Sequence, residues 1–284
     1  MRCLSLSIAL LAMTAAAGVV AAPCRAVSPA HTVALVELYT SQGCSSCPPA
    51  DQWLSRLPAG QAQFRAVALA LHIGYWDYIG WKDPFARKEF NERQRLLAER
   101  NRSRGVYTPE VFVGATELAD WSHPASFAAA LAEVNARPAL ASIELQARWL
   151  SAEPERDRSS RRLAVQVRWS ADASSHDPQL LLAVKRNGYL TEVQAGENQG
   201  STLRNDHVVR AWGGPFKPVR QPLPGALETE LAVPGAPGEA TLVAIAQDGA
   251  SGAVLQALEL PLSACEVVGL APGGSVAEWD KAGR

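Results

Sequence analysis

Apolar and polar residues follow two different patterns along this chain, and the change falls near its middle. In the first half, compact apolar runs alternate with helical patterns, which is typical of buried strands joined by helices. The runs are 33–39, 66–71 and 110–113. At the start of the second half, over 143–149 and 163–169, apolar side chains occupy every second position, as in Ile143, Leu145 and Ala147. This alternation is typical of strands with one buried face, so the pattern predicts an α/β unit followed by an all-β unit.

Three helices are expected in the first half. The first covers 48–57, where two prolines stand in a first turn that does not need their missing N–H groups. The second begins at Asp83 as its N-cap and runs to about Arg102. The third covers about 124–135, and a first domain is therefore expected over 31–138.

About eight short strands without helical stretches are expected in the second half. They fall near 143–149, 163–169, 179–185, 189–194, 206–211, 226–232, 240–247 and 253–261. Loops rich in Pro, Gly, Ser and Asp separate them, which favours an antiparallel β-sandwich over 139–265. The segment 196–200 has the composition of a hairpin turn, and 266–284 is expected to be a flexible tail.

The first 22 residues have the pattern of a secretory signal peptide. Arg2 supplies a positive charge, 4–20 is almost wholly apolar, and small residues follow. An uncleaved anchor is the alternative, because the apolar run reaches the lower limit of about 17 residues for a membrane span. With cleavage of residues 1–22, the mature chain is expected to be periplasmic or secreted, with no stable membrane span.

Composition and charge describe a globular protein rather than a disordered one. Apolar residues make up 48% of the 284 residues, charged residues make up 19%, and the formal net charge is −1. A balance so close to neutral does not predict a surface that binds nucleic acid or an anionic membrane. Any partner must therefore be recognised through a local site.

Four cysteines remain once the leader and its Cys3 are removed. An even number in an oxidising compartment is compatible with full pairing. Cys44 and Cys47 form a Cys-x-x-Cys motif, whereas Cys24 and Cys265 bracket the predicted folded elements. We expect the outer two to form a structural disulfide and the inner two to form a redox pair.

The Cys-x-x-Cys motif lies between a predicted strand and a predicted helix. Cys44 would attack a partner disulfide as a thiolate stabilised by free N–H groups at the helix start, and Cys47 would resolve the mixed disulfide. We expect Cys44 to be at least partly exposed and Cys47 to be more buried. Thr108-Pro109 precedes the strand 110–113, where a cis-proline packed against the cysteines is expected. These features predict an α/β thioredoxin-like N-terminal domain followed by an antiparallel β-sandwich-like C-terminal domain.

Four segments resemble an uncharacterised family of secreted bacterial proteins, domain of unknown function 1223. The segments are V-E-L-Y-T-S-Q-G-C-S-S-C-P-P-A-D, L-H-I-G-Y-W-D-Y-I-G-W-K-D-P-F, Y-T-P-E-V-F-V-G and G-E-N-Q-G-S-T-L-R-N-D-H-V-V-R. The resemblance implies a thioredoxin-like fold with an added β domain, and it implies no established substrate. Gly74 stands where an acidic residue is expected in the family, and Asn205 where a histidine is expected.

Several residues near the motif are candidates for supporting roles. His72, at the end of the second strand, could exchange a proton or bind a metal, and it could equally be a structural residue. Trp76, with Tyr75 and Trp81, could form an apolar wall for a partner or belong to the core. Asp77 and Thr108 complete the supporting set. In the second half, Asp206, His207 and Arg210 could line a site or simply lie on a surface strand.

The sequence leaves three functions open. The first is an exported thiol–disulfide oxidoreductase that acts on exported protein thiols, disulfides or a redox partner and needs no cofactor beyond its own disulfide. The second is a copper(I)-binding protein that uses Cys44, Cys47 and His72, because copper(I) prefers soft thiolate ligands. The third is a binding module in which Cys44 and Cys47 form a structural disulfide. The reduction potential of the cysteine pair sets the direction of electron flow.

Overall fold

The structure is a computed structural model. It describes residues 24–57, 66–150, 160–217, 225–235, 239–263, 265 and 267–268. The predicted leader lies outside the described residues, as does the predicted tail apart from 267–268. None of the helices in the described part of the chain combines the length and the apolar character that a membrane crossing needs.

Three α-helices and fifteen strands make up the described residues. The helices are α1 (Pro48–Ser55), α2 (Lys88–Arg100) and α3 (Pro124–Asn135), with a 3-10 helix at Asp77–Ile79. The first strands are β1 (Arg25–Val27), β2 (Ala34–Thr40), β3 (Ala66–His72), β4 (Glu110–Val113) and β5 (Thr116–Glu117). The next are β6 (Ala141–Leu150), β7 (Ser160–Ala171), β8 (Pro178–Arg186), β9 (Tyr189–Glu192) and β10 (Thr202–Asn205). The last are β11 (Val208–Phe216), β12 (Gly225–Pro234), β13 (Ala240–Asp248), β14 (Val254–Pro261) and β15 (Val267–Val268).

The larger sheet is mixed and holds eight strands in the order β14-β13-β8-β11-β3-β2-β4-β5. β2 and β3 run parallel, so that Thr40 and His72 lie side by side at their carboxyl ends. β4 runs antiparallel to β2. β11 joins β3 in parallel through the pair Val208 and Ala70. Strands from the two halves of the chain therefore form one continuous sheet.

The second sheet has the order β1-β6-β7-β12, and β15 also pairs with β6. β9 and β10 form a separate antiparallel hairpin. The segment 196–200 lies in the turn of this hairpin, as the sequence predicted. The turn of this hairpin contacts the cysteine motif.

Apolar side chains form three clusters on the two faces of the larger sheet. One face packs on α2 through residues that include Leu35, Leu69, Phe90 and Leu97. The opposite face packs on α1 and α3 through residues that include Val36, Leu38, Leu54 and Leu131. Farther along, that opposite face packs on the second sheet through residues that include Leu145, Val165, Leu182 and Leu242. Burial on both faces explains the unbroken apolar runs of the central strands.

The predicted fold class is wrong. Strands hold 46% of the described residues and helices hold 17%, in large mixed and antiparallel sheets, so the protein is not an α/β thioredoxin-like domain followed by a β-sandwich-like one. The physical reason is the pairing of β11 with β3, which joins second-half strands to first-half strands through backbone hydrogen bonds. The boundary expected near residue 138 stays a prediction, and the larger sheet takes strands from both sides of it.

Candidate functional site

The Cys-x-x-Cys motif occupies the turn between β2 and α1. Cys47 is the N-cap of α1, and the two prolines that follow stand at the first helical positions, as the sequence predicted. Cys44 and Cys47 form a disulfide with their Cα atoms 5.4 Å apart. The turn is closed by backbone hydrogen bonds of 3.2 Å from Cys44 N–H to Ser41 O and from Cys47 N–H to Cys44 O.

The expected exposure of Cys44 is wrong. Cys44 is 1% exposed and Cys47 is 0% exposed, although Ser45 and Ser46 between them are exposed. The sulfur of Cys44 is therefore almost completely shielded from solvent. An external thiol has no direct route to it in this conformation.

The Thr108–Pro109 segment lies against the motif, and its peptide bond is cis, as the sequence predicted. Cys44 Sγ is 3.8 Å from the carbonyl oxygen of Thr108. Ser46 Oγ lies 3.2 Å from Cys44 Sγ and donates a hydrogen bond of 3.3 Å to the same carbonyl. Trp76 Nε1–H donates to Thr108 Oγ1 at 2.7 Å. Thr108 and Trp76, both expected to support the site, are thus brought to it.

The turn of the β9–β10 hairpin contacts the motif from another side. Asn198 Nδ2 donates hydrogen bonds of 2.9 Å to the carbonyl oxygens of both Gln42 and Cys44. Glu197 Oε2 accepts a hydrogen bond of 2.9 Å from the backbone N–H of Ser45. A carboxylate therefore occupies the backbone N–H that immediately follows Cys44.

Gln42, two residues before Cys44, connects the motif to the rest of the site. Its backbone N–H donates to Asp83 Oδ2 at 2.8 Å, and its side chain donates to Asn205 Oδ1 at 2.8 Å. Trp81 Nε1–H donates to Gln42 Oε1 at 3.3 Å. The conformation of the turn therefore depends on two distant segments of the sequence.

His72 and Asp83 form a buried pair, with Nδ1 and Oδ2 2.7 Å apart and both side chains 0% exposed. Burial alone would lower the pKa of His72, but the adjacent Asp83 carboxylate more than offsets this and raises it. Burial would raise the pKa of Asp83, whereas His72 and two backbone N–H donors lower it. The pair is thus stabilised as imidazolium and carboxylate, and it holds Gln42 through Asp83.

The sequence predicted that Asp83 is the N-cap of α2, and this prediction is wrong. The N-cap of α2 is Arg87, and Asp83 Oδ1 instead accepts from the N–H of Phe85 at 2.8 Å. Asp77 is half-buried and accepts from the N–H of Asp83 at 3.2 Å through Oδ1. Burial raises the pKa of Asp77. Asp77 therefore supports Asp83 rather than the cysteines directly.

Asp51 lies on α1, and its carboxyl group is buried. The backbone N–H of Asp51 donates to Cys47 O at 3.1 Å. Burial raises its pKa to about 7, an effect that His72 and Thr40 only partly oppose. Thr40 Oγ1 donates to Asp51 Oδ2 at 3.1 Å. His72 Nε2 and Asn205 Nδ2 are buried without a protein partner. This polar cluster lies beneath the motif at the carboxyl ends of β2 and β3.

The copper(I) hypothesis placed three ligands together. His72 Nδ1 is engaged by Asp83, while Cys44 and Cys47 are joined to each other. Within the described ranges, no group of three or more His, Cys, Asp or Glu side chains is arranged to hold a metal ion.

The outer cysteines also form a pair. Cys24 and Cys265 are disulfide-bonded with their Cα atoms 5.2 Å apart, within the usual range for a disulfide. Cys24 immediately precedes β1, and Cys265 lies between β14 and β15. Both ends of the described chain therefore meet beside β6.

The three other candidates of the second half, Asp206, His207 and Arg210, make their contacts away from the cysteine motif. Asp206 binds Arg204 and the N–H of Gly188, and the pKa of His207 is lowered to about 4 by burial and by Lys185. Arg210 lies over the rings of Phe85 and Tyr189. None of the three candidates contacts the cysteine pair.

Sequence reasoning missed four residues that build the site: Gln42, Asp51, Glu197 and Asn198. Gln42 and Asp51 stand inside the motif that carried the family resemblance. Glu197 and Asn198 also stand inside a segment that carried this resemblance, and the sequence analysis assigned them only to a hairpin turn. One signal was available for the last two residues. A turn needs only its glycines to reach its backbone conformation, so the amide and carboxylate side chains between Gly196 and Gly200 suggested a further role.

Two solved structures are similar to this one in fold. The crystal structure of protein AGR_C_4864 from Agrobacterium tumefaciens matches with a TM-score of 0.52 and 20% identity, over 84% of this chain and 98% of that one. HBP35 of Porphyromonas gingivalis matches with a TM-score of 0.57 and 14% identity, over 88% of this chain and 82% of that one. At these identities the likeness concerns the fold alone. None of the curated proteins matches this chain in sequence.

A family model spans most of the molecule just described. The model for the protein of unknown function DUF1223 matches residues 35–246, from β2 to β13. The matched range includes the cysteine motif, the Thr108–Pro109 segment and the β9–β10 turn. This chain belongs to that family.

Proposed function

We propose that this protein is an exported thiol–disulfide oxidoreductase that uses Cys44 and Cys47. The observation that carries the proposal is the Cys44–Cys47 disulfide at the start of α1, with Cys44 Sγ 3.8 Å from Thr108 O. Two cysteines on one turn allow attack and resolution within one site. Exported thiols and disulfides, or a redox partner protein, are the substrate class.

The chemistry is a two-electron exchange. A partner thiolate attacks Cys44 Sγ, the Cys44–Cys47 bond breaks, and Cys47 leaves as a thiolate. A second partner thiolate then attacks the partner sulfur of the mixed disulfide and releases Cys44. The partner pair is oxidised to a disulfide, Cys44 and Cys47 are reduced, and the two protons of the partner thiols go to them or to solvent. The same steps in reverse reduce a partner disulfide.

Export is part of the proposal and has two supports. The leader pattern of residues 1–22 is one support. The second is the Cys24–Cys265 disulfide, because structural disulfides persist in oxidising compartments such as the bacterial periplasm. Together they favour a periplasmic or secreted protein.

A structural role for the Cys44–Cys47 disulfide is the second candidate, and the burial of both sulfurs favours it. Under this alternative the protein binds a partner without redox turnover. The two functions differ in whether the disulfide exchanges with solution thiols.

Variants of the two cysteines separate these functions. With a reduced protein and a peptide disulfide, Cys47→Ser should accumulate a mixed disulfide through Cys44, because the resolving thiol is missing. Cys44→Ser should form none, since the proposal assigns the attack on the partner disulfide to Cys44 and only the resolving step to Cys47. The Cys24→Ser/Cys265→Ser double variant is the control and should turn over like the wild type. Mass spectrometry identifies the adduct. Failure of wild-type protein to exchange with any peptide disulfide would establish the structural role instead.

A further inference from the structure

We propose that the turn between β9 and β10, residues 193–201, is a gate that controls exposure of the Cys44–Cys47 disulfide, because Asn198 and Glu197 hold the backbone of the cysteine turn in its buried conformation. This inference rests on the proposed oxidoreductase function and describes its regulation. Its starting point is the contrast between exposed Ser45 and Ser46 and the 1% exposure of Cys44. Ser46 Oγ and Thr108 O lie against the Cys44 sulfur, so an external thiol can reach it only when the cysteine turn moves.

The side chain of Asn198 restrains the backbone of the cysteine turn. Asn198 is 8% exposed, while its neighbours Glu197 and Gln199 are exposed. Its amide therefore points inward from a turn that otherwise faces water. By donating to both Gln42 O and Cys44 O, it binds the backbone on either side of Gly43.

Glu197 couples the position of the turn to the chemistry of Cys44. Its carboxylate accepts the N–H of Ser45. Cys47 N–H is taken by Cys44 O, and Pro48 and Pro49 have no N–H to offer. Opening of the turn would free the Ser45 N–H and remove a negative charge from the vicinity of Cys44. Both changes stabilise a thiolate there.

Two glycines give the turn its backbone conformation. Gly196 and Gly200 have φ values of +77° and +81° at its two ends, which glycine adopts without strain. A Cβ atom on Gly196 would lie 3.3 Å from Ile79 Cδ1 and from Trp81 Cβ, so the closed turn packs tightly on this segment. Besides these packing contacts, three hydrogen bonds from Glu197 and Asn198 join the closed turn to the cysteine turn. A few such bonds are readily exchanged for water.

The gate predicts how fast a thiol reaches the disulfide. If only the open state reacts, the observed rate is the intrinsic rate multiplied by the open fraction. One net hydrogen bond shifts such an equilibrium by roughly two- to tenfold. Loss of both bonds of Asn198 should therefore raise the rate by about tenfold or more.

The test is the rate at which dithiothreitol reduces Cys44–Cys47 in the full chain, followed by alkylation and mass spectrometry. Asn198→Ala should react about tenfold faster than wild type, and Glu197→Ala a few-fold faster. Gln199→Ala is the matched control, because it changes an exposed side chain of the same turn, and it should react like wild type. Reduction of Cys24–Cys265 should be unchanged in all three, which excludes general loosening. An Asn198→Ala rate within twofold of both wild type and Gln199→Ala overturns the gate.

Hydrogen exchange of the Ser45 amide provides a second readout that does not depend on Asn198→Ala folding. This amide is held by Glu197 and should exchange through the same opening. Its exchange rate and the reduction rate should change by the same factor between wild type and Glu197→Ala. Faster reduction with unchanged Ser45 exchange would overturn the gate.

The two proposals fail in different ways. If the variants react faster but wild type transfers no disulfide to any peptide, the gate stands and the oxidoreductase function fails. If wild type turns over and the variants are no faster, the function stands and the gate fails.

Discussion

Asp51 is a carboxyl group almost shielded from water beneath the cysteine motif, at 6% exposure. Burial raises its pKa to about 7, whereas an unfolded chain has an aspartate pKa of about 3.9. Between these two values the folded protein holds a proton that the unfolded chain releases. Stability contributed by protonated Asp51 is therefore present at low pH and is lost as pH rises from about 4 to 7.

Replacing Asp51 with asparagine should remove this pH dependence. The amide is neutral at every pH, so Asp51→Asn should gain stability relative to wild type as pH rises from 4 to 7. One pKa unit corresponds to about 1.4 kcal/mol, so the change in the difference is on the order of 3 kcal/mol. Urea unfolding at several pH values measures it, with Asp120→Asn, an exposed site, as the control. A difference that stays constant across this range would contradict the prediction.

At the scale of elements, α2 is attached to the larger sheet by a buried ion pair. Arg93 Nε donates to Glu37 Oε1 at 2.6 Å and Nη2 donates to Oε2 at 3.1 Å. Arg93 Nη1 also donates to Gln247 Oε1 at 2.9 Å. The arginine therefore joins α2 to β2 and β13, two strands that lie apart in the sheet.

Truncation of Arg93 should leave the carboxylate of Glu37 buried and unpaired. Arg93→Ala is expected to destabilise the protein by about 3–5 kcal/mol, because an uncompensated buried charge is costly. The double variant Glu37→Leu/Arg93→Met removes both charges and should be more stable than Arg93→Ala. Denaturant unfolding of the single and double variants measures this coupling. Equal stability of the two variants would show that the cost is lost packing rather than the unpaired charge.

The error at the start of α2 also belongs to this scale. Asp83-Pro84 has the residues of an N-cap and a first helical position. The same aspartate can bind the N–H two residues on in an Asx-turn, as Asp83 does with Phe85. Local sequence does not separate these uses. The choice depends on His72, which lies 11 residues away and engages the other carboxylate oxygen.

At the scale of the whole molecule, local patterns located strands well but not their partners. The strand expected at 110–113 matches β4, and the helix expected at 124–135 matches α3. The unbroken apolar runs 180–184 and 242–246 were interpreted as sandwich strands. Their burial on both faces, which places them inside the mixed sheet, was the missed signal. Pairing between Val208 and Ala70, 138 residues apart, depends on tertiary packing that periodicity does not encode.

For the candidate site, as for the sheets, the sequence predicted the local contacts and missed those between distant segments. Cys44, Cys47, Thr108 and Pro109 lie together as expected because they occupy one end of neighbouring strands. Glu197 and Asn198 come from a hairpin that joins the site only through long-range folding. Their contribution depends on side-chain hydrogen bonds with backbone atoms more than 150 residues away. Such contacts leave no periodic trace in the sequence.

The Cys24–Cys265 disulfide joins two short strands that lie along the same edge of β6. β1 pairs with β6 around Gln146, and β15 pairs with it at Trp149. Cys24 O also accepts the N–H of Ala147 at 3.0 Å. The bond closes a loop with a sequence separation of 241 residues, for which chain entropy sets a stabilisation of about 5 kcal/mol. Because short edge strands can fray without unfolding the rest, part of this loss should be local.

The Cys24→Ser/Cys265→Ser variant is therefore expected to lose about 2–4 kcal/mol in urea unfolding. Its Ala147 amide should exchange faster with solvent than in wild type, by a larger factor than the Leu38 amide in the middle of the larger sheet. Local fraying at the β6 edge adds to global unfolding for Ala147 and not for Leu38. Reduction of Cys44–Cys47 should keep its wild-type rate, because the cysteine motif lies on the other sheet. Equal acceleration at Ala147 and Leu38 would mean that β1 and β15 unfold only with the whole molecule.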